Sequence, residues 1–444
     1  MKNMLGLLAI FVLVMVQLTA CGGGKSGSDG GGASAGSQPA KQEQSQGEAK
    51  QNVTLKFSIW GNDTHKQMYE EMIAAFRETH PNINVEVMTI PFAEYQQKLT
   101  IMQASKTAPD VVWLAERMIP QFITAGHLLD ISFLKDDADY KFDDIFPSTL
   151  DLVTKDGGIY GIPFSTPPSM LYYNKTLFEA KGLPTPKELY LQGKWNFDEF
   201  LKAAKALTDS AQGIYGTNFV RSGGWNNWPD VLQTVFNAYG AELFSEDGTA
   251  FMMNSPEGEQ ALQFFADMMF KDEIHPKPGD QTTFDTGKIA MQKELFSYMG
   301  KAKAITDFEW DIAPLPAGPY GPGTTIGYAA YTIMKDTKHP EEAAEFLKFI
   351  TNPDNMMTTS QFFVPSRKSI LESEAFLQQG PSAESVKLAV IDQMEGAKSL
   401  PSHVNWQNID TTMQTVLDYL YSQSLSVKEV LAKAEAEIAP LLKS

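Results

Sequence analysis

From residue 53 onward the chain switches repeatedly between two hydrophobic periods, and this switching constrains its fold more than any other feature. Residues 53–59 alternate apolar and polar side chains, as in a strand with one polar face or an edge strand. Residues 68–76 carry an apolar stripe at helical spacing, and residues 83–87 alternate again. A second helix is predicted over residues 92–105, before the unbroken apolar run of a buried strand at 111–114. This order predicts an α/β fold with a parallel sheet and helices on its faces.

The later part of the chain is predominantly helical by the same criteria. Capping residues or N-terminal prolines introduce predicted helices over residues 197–207, 256–270 and 340–350, and a last helix after Ser426. Clusters of helix-breaking and strand-breaking residues lie at 155–158, 163–168 and 313–323. These clusters predict that the chain passes more than once between two α/β lobes.

The amino terminus has the features of an export signal. Lys2 precedes the apolar stretch of residues 4–16, which is too short to span a bilayer comfortably. Residues 18–21 read Leu-Thr-Ala-Cys, which resembles the bacterial lipobox, and Cys21 is the only cysteine in the chain. Residues 1–20 are therefore predicted to be a lipoprotein signal peptide and Cys21 to be acylated. The alternative is an ordinary secretory signal with an incidental cysteine.

Residues 21–52 are predicted to be the lipidated cysteine followed by a flexible tether. Positions 22–52 hold nine glycines, five serines and no aromatic residue, so they cannot bury enough apolar surface to fold. A flexible coil of this length spans roughly 30 Å. Because acylation follows translocation, a lipid anchor would hold the folded body at the extracellular face of the cell membrane.

Composition narrows the classes of function. Hydrophobic residues make up 43% of the chain, which is typical of a folded, soluble body. Asp and Glu number 54 against 36 Lys and Arg, and a net charge of −18 without a basic run disfavours nucleic-acid binding. The six histidines lack metal-binding spacing, and phosphate-loop, dinucleotide and serine-hydrolase motifs are missing from the sequence. We therefore expect no cofactor, no metal and no nucleic-acid partner.

Aromatic and polar side chains follow two of the predicted strands. Trp60, Asn62 and Asp63 come after the first strand, and Glu116 and Arg117 after the third. Ligands bind at the carboxyl ends of strands in open parallel sheets. Carboxylates and amides suit sugar hydroxyls, and ring faces suit the C–H faces of sugars, so these residues are candidate ligand contacts. The alternatives are a helix cap for Asp63, a solvated ion pair for Glu116 and Arg117, and a core position for Trp60.

Further tryptophans lie in polar, glycine-bearing segments. Trp225 follows Gly223-Gly224 and precedes two asparagines, and Trp406 lies between Asn405 and Gln407, so both are candidate ligand contacts. Trp228 precedes an apolar helix, which favours packing. The remaining tryptophans read as core: Trp113, Trp195 and Trp310.

Together, several short motifs resemble the family 1 extracellular solute-binding proteins of ABC importers, the group that includes the maltose-binding protein. The resemblance covers nearly all of residues 53–444, and each motif is degenerate alone, but their order and spacing are specific. The matching segments are residues 55–60, 76–85, 108–111, 126–130, 160–164, 171–175, 195–200, 287–291, 313–319 and 343–348.

The resemblance implies two α/β lobes joined by a hinge, with a ligand cleft between them. Lobe 1 would comprise residues 53–164 and 327–366, and lobe 2 residues 165–326 and 367–444.

The same resemblance assigns roles to individual residues. Asp63, Glu116 and Arg117 match positions that contact sugar hydroxyls in the maltose-binding protein. An acidic sugar ligand of that protein is replaced here by the segment 166–169 (Thr-Pro-Pro-Ser), which implies a substrate other than maltodextrin. Looser alignments place three residues near its aromatic sugar platforms: Trp225, Tyr298 and Trp406.

The expected function is that of a monomeric, lipid-anchored receptor, not an enzyme, which captures an oligosaccharide and delivers it to the permease of an ABC importer. Two alternatives stay open. One is a receptor for another solute: an acidic cleft without Arg117 would favour a polyamine, and Arg117 with Arg221 would favour a glycerophosphodiester. The other is a secreted glycoside hydrolase, which needs a pair of carboxylates about 5 to 9.5 Å apart.

Overall fold

The computed structural model describes residues 51–220, 224–225, 227–245 and 247–443. The predicted signal peptide, Cys21, nearly all of the tether, and Arg221 lie outside these residues. No helix of the described part is both long and apolar enough to cross a bilayer.

Short strands and many helices alternate along the described chain. The strands are β1 (Val53–Ile59), β2 (Ile83–Thr89), β3 (Val111–Ala115), β4 (Thr154–Lys155), β5 (Gly158–Ile159), β6 (Ile162–Ser165), β7 (Met170–Asn174), β8 (Met291–Glu294), β9 (Trp310–Ala313), β10 (Thr325–Ile326), β11 (Ala329–Ile333) and β12 (Lys398–Ser399). The helices are α1 (Asp63–Thr79), α2 (Phe92–Ala104), α3 (Ile119–Thr124), α4 (Lys175–Ala180), α5 (Pro186–Leu191), α6 (Phe197–Leu207), α7 (Trp228–Tyr239), α8 (Pro256–Phe270), α9 (Met299–Ala302), α10 (Pro340–Ile350), α11 (Pro353–Thr359), α12 (Lys368–Leu371), α13 (Glu374–Leu377), α14 (Ala383–Val386), α15 (Asp392–Met394), α16 (Trp406–Tyr421) and α17 (Val427–Ile438).

The first sheet has five strands in the order β2-β1-β3-β11-β6. As predicted, β1 pairs in parallel with both β2 and β3, whereas β11 runs antiparallel to β3 and β6. The edge-strand alternative for β1 is wrong, because β2 and β3 flank it on both sides. Leu55, Phe57 and Ile59 are fully buried, and the polar Ser58 is accommodated because its hydroxyl hydrogen-bonds the Tyr95 hydroxyl at 2.7 Å.

Helices α1 and α10 pack on the first sheet. The side chain of Asn62 accepts a hydrogen bond from the backbone of His65 and so caps α1, whose apolar stripe, including Met72 and Phe76, is buried. Phe346 of α10 contacts Phe76 with ring centroids 5.5 Å apart and Phe57 at 5.4 Å. Strand and helix therefore share one aromatic core.

The second sheet has three strands, in the order β8-β7-β9, and all its pairings are antiparallel. A second hydrophobic core packs against it and includes side chains of α6, α7, α8, α16 and α17. Within this core the rings of Trp228 and Trp406 are stacked 5.9 Å apart with an interplanar angle of 15°. The core roles predicted for Trp228 and for Trp195, which is 4% exposed, are confirmed.

The chain passes from the first sheet to the second between β6 and β7, and it returns from β9 through β10 to β11. The backbone N–H of Gly327 donates to the carbonyl of Pro167 at 2.8 Å, and that of Ser169 donates to the carbonyl of Thr325 at 2.7 Å. The short β12 pairs with β10 beside this passage. We call these paired segments, residues 166–169 and 324–328, the hinge. The larger apolar core extends beyond the first sheet to Phe296 and Met299, so apolar packing does not itself divide the chain at the predicted lobe boundaries.

Candidate ligand-binding site

A cavity of about 400 Å³ lies between the two sheets, at the hinge. The carboxyl ends of β1 and β3 contribute Trp60 and Glu116, and β8 contributes Glu294 from the second sheet. Tyr328 of the hinge also lines the cavity. Because β11 and β6 are antiparallel, the first residue of β11 and the last residue of β6 reach the same edge as the ends of β1 and β3. Topology therefore gathers residues far apart in sequence around one space.

Aromatic rings in mutual contact form one side of this cavity, which we call the aromatic wall: Trp60, Phe92, Trp113, Phe164 and Phe363. Trp113 lies 5.1 Å from Trp60 and 4.7 Å from Phe164, measured between ring centroids. Phe164 lies 5.1 Å from Phe363, and Trp60 lies 5.6 Å from Phe92. The rings meet mostly edge to face, and they form an apolar lining against which the C–H face of a ligand can pack.

The opposite side is more polar, and we call it the polar wall: Asn227, Glu294, Ser297, Tyr298 and Lys301. The Tyr298 hydroxyl donates to Asp285 at 3.1 Å, and the Lys301 ammonium lies 2.9 Å from the same carboxylate oxygen. Burial raises the pKa of Asp285, but its hydrogen bonds with Lys301 and Thr283 outweigh burial and leave that pKa below its usual value. Tyr298 and Lys301 are thus oriented by one ionised carboxylate.

Two buried carboxylates, Glu116 and Glu294, line the cavity and are 9% and 4% exposed. The negative charge of Glu294 acts on neighbouring tyrosines. The pKa of Tyr298 lies well above its usual value, mainly because of burial and also because of the negative charges of Asp285 and Glu294. The phenol therefore stays protonated at neutral pH and keeps its hydrogen bond to Asp285.

Four of the predicted site residues lie at or beside this cavity. Trp60, Glu116 and Tyr298 line it. Trp225 lines a smaller cavity of about 100 Å³ that shares Glu294 and Tyr298 with the first. Trp225 is held by edge contacts with the rings of His275 at 6.0 Å and Tyr421 at 5.1 Å.

Four others do not line the cavity. Asn62 caps α1, and Asp63, in the first turn, is exposed, so the capping role proposed for Asp63 belongs to its neighbour. The guanidinium of Arg117 lies over the ring of Phe92, 4.5 Å from its centroid. Trp406 is 2% exposed and stacks in the second core. Trp406 is buried although its neighbours in sequence are polar, because Trp406 begins α16 and its ring points into the second core.

Sequence reasoning missed several lining residues: His65, Phe92, Phe164, Glu294, Tyr328 and Phe363. Trp113, predicted to be core only, is 1% exposed but also contributes to the cavity surface. Phe164 lies in β6, inside the segment 163–168 that was predicted to be strand-breaking, and Glu294 ends β8, a strand that was not predicted. Across the described ranges there is no group of three or more His, Cys, Asp or Glu side chains placed to hold a metal ion.

Comparison with known proteins identifies the family. Residues 62–357 match the model of the bacterial extracellular solute-binding proteins. The galactooligosaccharide-binding protein of Bacillus subtilis is 25% identical and covers 81% of this chain and 83% of its own length. The arabinooligosaccharide-binding protein of Halalkalibacterium halodurans is 23% identical and covers 84% of this chain and 86% of its own.

Solved structures show the same two-lobe architecture. A Listeria monocytogenes ABC substrate-binding protein in complex with cycloalternan superposes with a TM-score of 0.76 at 24% identity, covering 88% of this chain and 98% of its own. A Mycobacterium tuberculosis protein in complex with glycerophosphocholine superposes with a TM-score of 0.77 at 20% identity, with coverages of 88% and 98%. The fold class expected from the sequence is confirmed. The chain belongs to the bacterial extracellular solute-binding protein family.

Proposed function

We propose that this protein is the receptor of an ABC importer, that it captures an oligosaccharide between its two lobes, and that it delivers the sugar to the membrane permease without chemical change. The observation that carries the proposal is the cavity at the hinge, where an aromatic wall with the buried Glu116 beside it faces a polar wall that includes the buried Glu294 and the amide of Asn227. Two relatives named for oligosaccharide binding, each matching more than four-fifths of the chain, support it.

Each wall has a separate task in this proposal. Trp60 and Trp113 pack against the C–H faces of the sugar rings, and Trp225 extends that surface along the second lobe. Glu116 and Glu294 accept hydrogen bonds from hydroxyl groups, and Tyr298 and Lys301 lie beside them. Closure about the hinge would then bury the sugar from both sides.

The test is a thermal-shift screen of the secreted protein carrying Cys21→Ser against a panel of oligosaccharides. A ligand at 100 times its Kd stabilises a protein by about 2.7 kcal/mol, which produces a visible shift. Trp60→Ala should weaken the best sugar by at least about tenfold, or about 1.4 kcal/mol. Tyr320→Ala, at a residue 80% exposed and absent from the cavity lining, is the control and should bind normally. The absence of a thermal shift with every sugar tested would overturn the proposal.

A second candidate ligand is a solute with a quaternary ammonium group, such as glycerophosphocholine. Aromatic rings beside the buried Glu116 and Glu294 also suit such a cation, and one structural neighbour was solved in complex with glycerophosphocholine. Including this compound in the same screen separates the two candidates. Hydrolysed sugar products in the incubations would instead favour a glycosidase.

We further propose that a lipid on Cys21 anchors the receptor to the extracellular face of the membrane. Cys21→Ser in the full chain should release the protein into the medium, since a thiol is needed for acylation. Fractionation of cells checks this, with the unmodified chain as control. Membrane retention of the Cys21→Ser protein would show that another segment provides the attachment.

A further inference from the structure

The aromatic wall offers a ligand few hydrogen-bonding groups. Its own polar atoms are the indole N–H groups of Trp60 and Trp113, and that of Trp113 is buried and finds no acceptor among the described residues. The guanidinium of Arg117 lies over the ring of Phe92. The other polar residues that line this side of the cavity are Glu116, Ser165, His65 and Tyr328.

Polar groups adjoining the wall are already engaged within the protein. The hydroxyl of Tyr328 donates to the carbonyl of Thr149 at 2.6 Å. Nδ1 of His65 lies 2.7 Å from the side-chain oxygen of Asn62, and burial lowers the pKa of this histidine, so it stays neutral at pH 7. Because these groups are already hydrogen-bonded, they can offer fewer hydrogen bonds to a sugar hydroxyl that has lost its water on binding.

The hinge side of the cavity is aliphatic. Pro167, Leu295 and Leu400 line it, and Leu295 and Leu400 are 9% and 6% exposed. Leu295 packs closely against Gly327, where an added Cβ would lie 3.1 Å from the leucine methyl. Leu400 reaches the cavity because it follows β12, which pairs with β10. Aliphatic side chains cannot satisfy a hydroxyl, but they favour a methyl or aryl group.

Polar groups concentrate on the other side of the cavity. Besides the polar wall, the adjoining smaller cavity is lined by Asn218, Asp280 and Gln292. The whole site is therefore amphipathic, with hydrogen-bonding groups toward the second sheet and apolar surface toward the first sheet and the hinge. A ligand with hydroxyls on every side would leave some of them without a hydrogen-bond partner. Each unsatisfied hydroxyl reduces the affinity by about ten- to a hundredfold.

We propose that the sugar taken by this site carries an apolar group, either the methyl of a 6-deoxy sugar or an aromatic aglycone, and that this group packs between the aromatic wall and the aliphatic hinge side. The inference rests on the proposed function and adds the class of sugar. It explains why Leu295, Leu400 and Pro167 line a cavity whose other side is polar.

The test compares matched glycosides by calorimetry on the full chain carrying Cys21→Ser. The probes are the methyl, 6-deoxy methyl and p-nitrophenyl β-glycosides of D-galactose and D-glucose. We expect the 6-deoxy or the p-nitrophenyl compound to bind at least about tenfold more tightly than the methyl glycoside of the same series. The two modified probes distinguish a deoxy sugar from an aromatic aglycone.

A variant of the aromatic wall tests whether this wall causes the preference for modified glycosides. Phe92 is 41% exposed, so Phe92→Ala should fold, and it should reduce the ratio of affinities between modified and unmodified glycoside. Phe133→Ala, at a residue 46% exposed and absent from the cavity lining, is the matched control and should keep the ratio.

Equal affinities within each series, or binding of unmodified sugars alone, would overturn the inference while the proposed function stands. A response to glycerophosphocholine with none from any sugar would overturn both.

Discussion

At the residue scale, His275 is a buried group with both ring nitrogens in use. Its Nε2 accepts the backbone N–H of Phe219 at 2.9 Å, and its Nδ1 lies 2.7 Å from the carbonyl of Pro276. Burial lowers its pKa from 6.5 to about 4. The neutral ring holds the backbone at Phe219, because a second proton on Nε2 would displace this hydrogen bond.

This pKa predicts how stability depends on pH. Between about pH 6.5 and 4 the unfolded state binds the proton and the folded state does not, so stability falls as pH falls through this window, by about 3 kcal/mol in total. Above the window both states are neutral and the contribution is constant. His275→Gln, measured by urea unfolding at several pH values, should lower stability at pH 7 and flatten the decline below pH 6.5. If His275→Gln left the pH dependence of the unfolding free energy unchanged, the lowered pKa assigned to His275 would be contradicted.

Single tryptophans show what sequence can say about one residue. Trp60 follows a strand and was predicted to reach a ligand site, and it lines the cavity. For Trp113 and Trp406 the sequence neighbours and the location in the structure disagree. Trp113 lies in an apolar run but lines the cavity, whereas Trp406 lies among polar residues but is buried. Neighbours in sequence do not decide which side of a strand or helix a ring occupies.

At the scale of elements, a buried ion pair joins a helix to two strands. Lys293 of β8 lies 2.5 Å from Asp230 of α7, and both side chains are at most 2% exposed. The other carboxylate oxygen of Asp230 accepts from the Thr325 hydroxyl of β10 at 3.3 Å, and Thr325 in turn contacts Ser169 of the hinge at 3.0 Å. The pair therefore connects β8, the strand that carries Glu294 of the polar wall, to the hinge.

Lys293→Met should destabilise the protein by about 3 to 5 kcal/mol, because it leaves the carboxylate of Asp230 buried without its cation. Lys277→Met is the matched control, since Lys277 pairs with Glu273 at 2.9 Å on the surface, and such exposed pairs contribute about 0 to 1 kcal/mol. Chemical denaturation measures both. Similar losses in the two variants would show that burial of the pair is energetically unimportant.

The elements that were predicted have local signals. Helices α6, α8 and α10 have the predicted bounds, and α17 begins with the predicted capping box of Ser426 and Glu429. The position of β1 within its sheet was not predictable in the same way. An alternating pattern shows which face is buried, but the flanking strands are chosen by tertiary contacts.

At the scale of the whole molecule, two sheets connected through the hinge enclose a site that neither sheet contains alone. A ligand favours closure only if it binds the closed form more tightly than the open form. A saturating sugar should therefore reduce the radius of gyration measured by small-angle scattering. Trp60→Ala at the same sugar concentration should show less compaction, and an unchanged radius for the unmodified protein would rule out closure.

The sequence by itself determined the class of fold, the order of the first three strands and two helices, several later helices with their caps, and the family resemblance, since these depend on local periodicity and on motifs read in order. Only the tertiary structure decided which side chains share the cavity. Trp60, Glu294 and Phe363 come from distant parts of the chain, and they meet because the hinge places β1, β8 and the segment after α11 around one space. Long-range packing sets such contacts, and no local pattern encodes them.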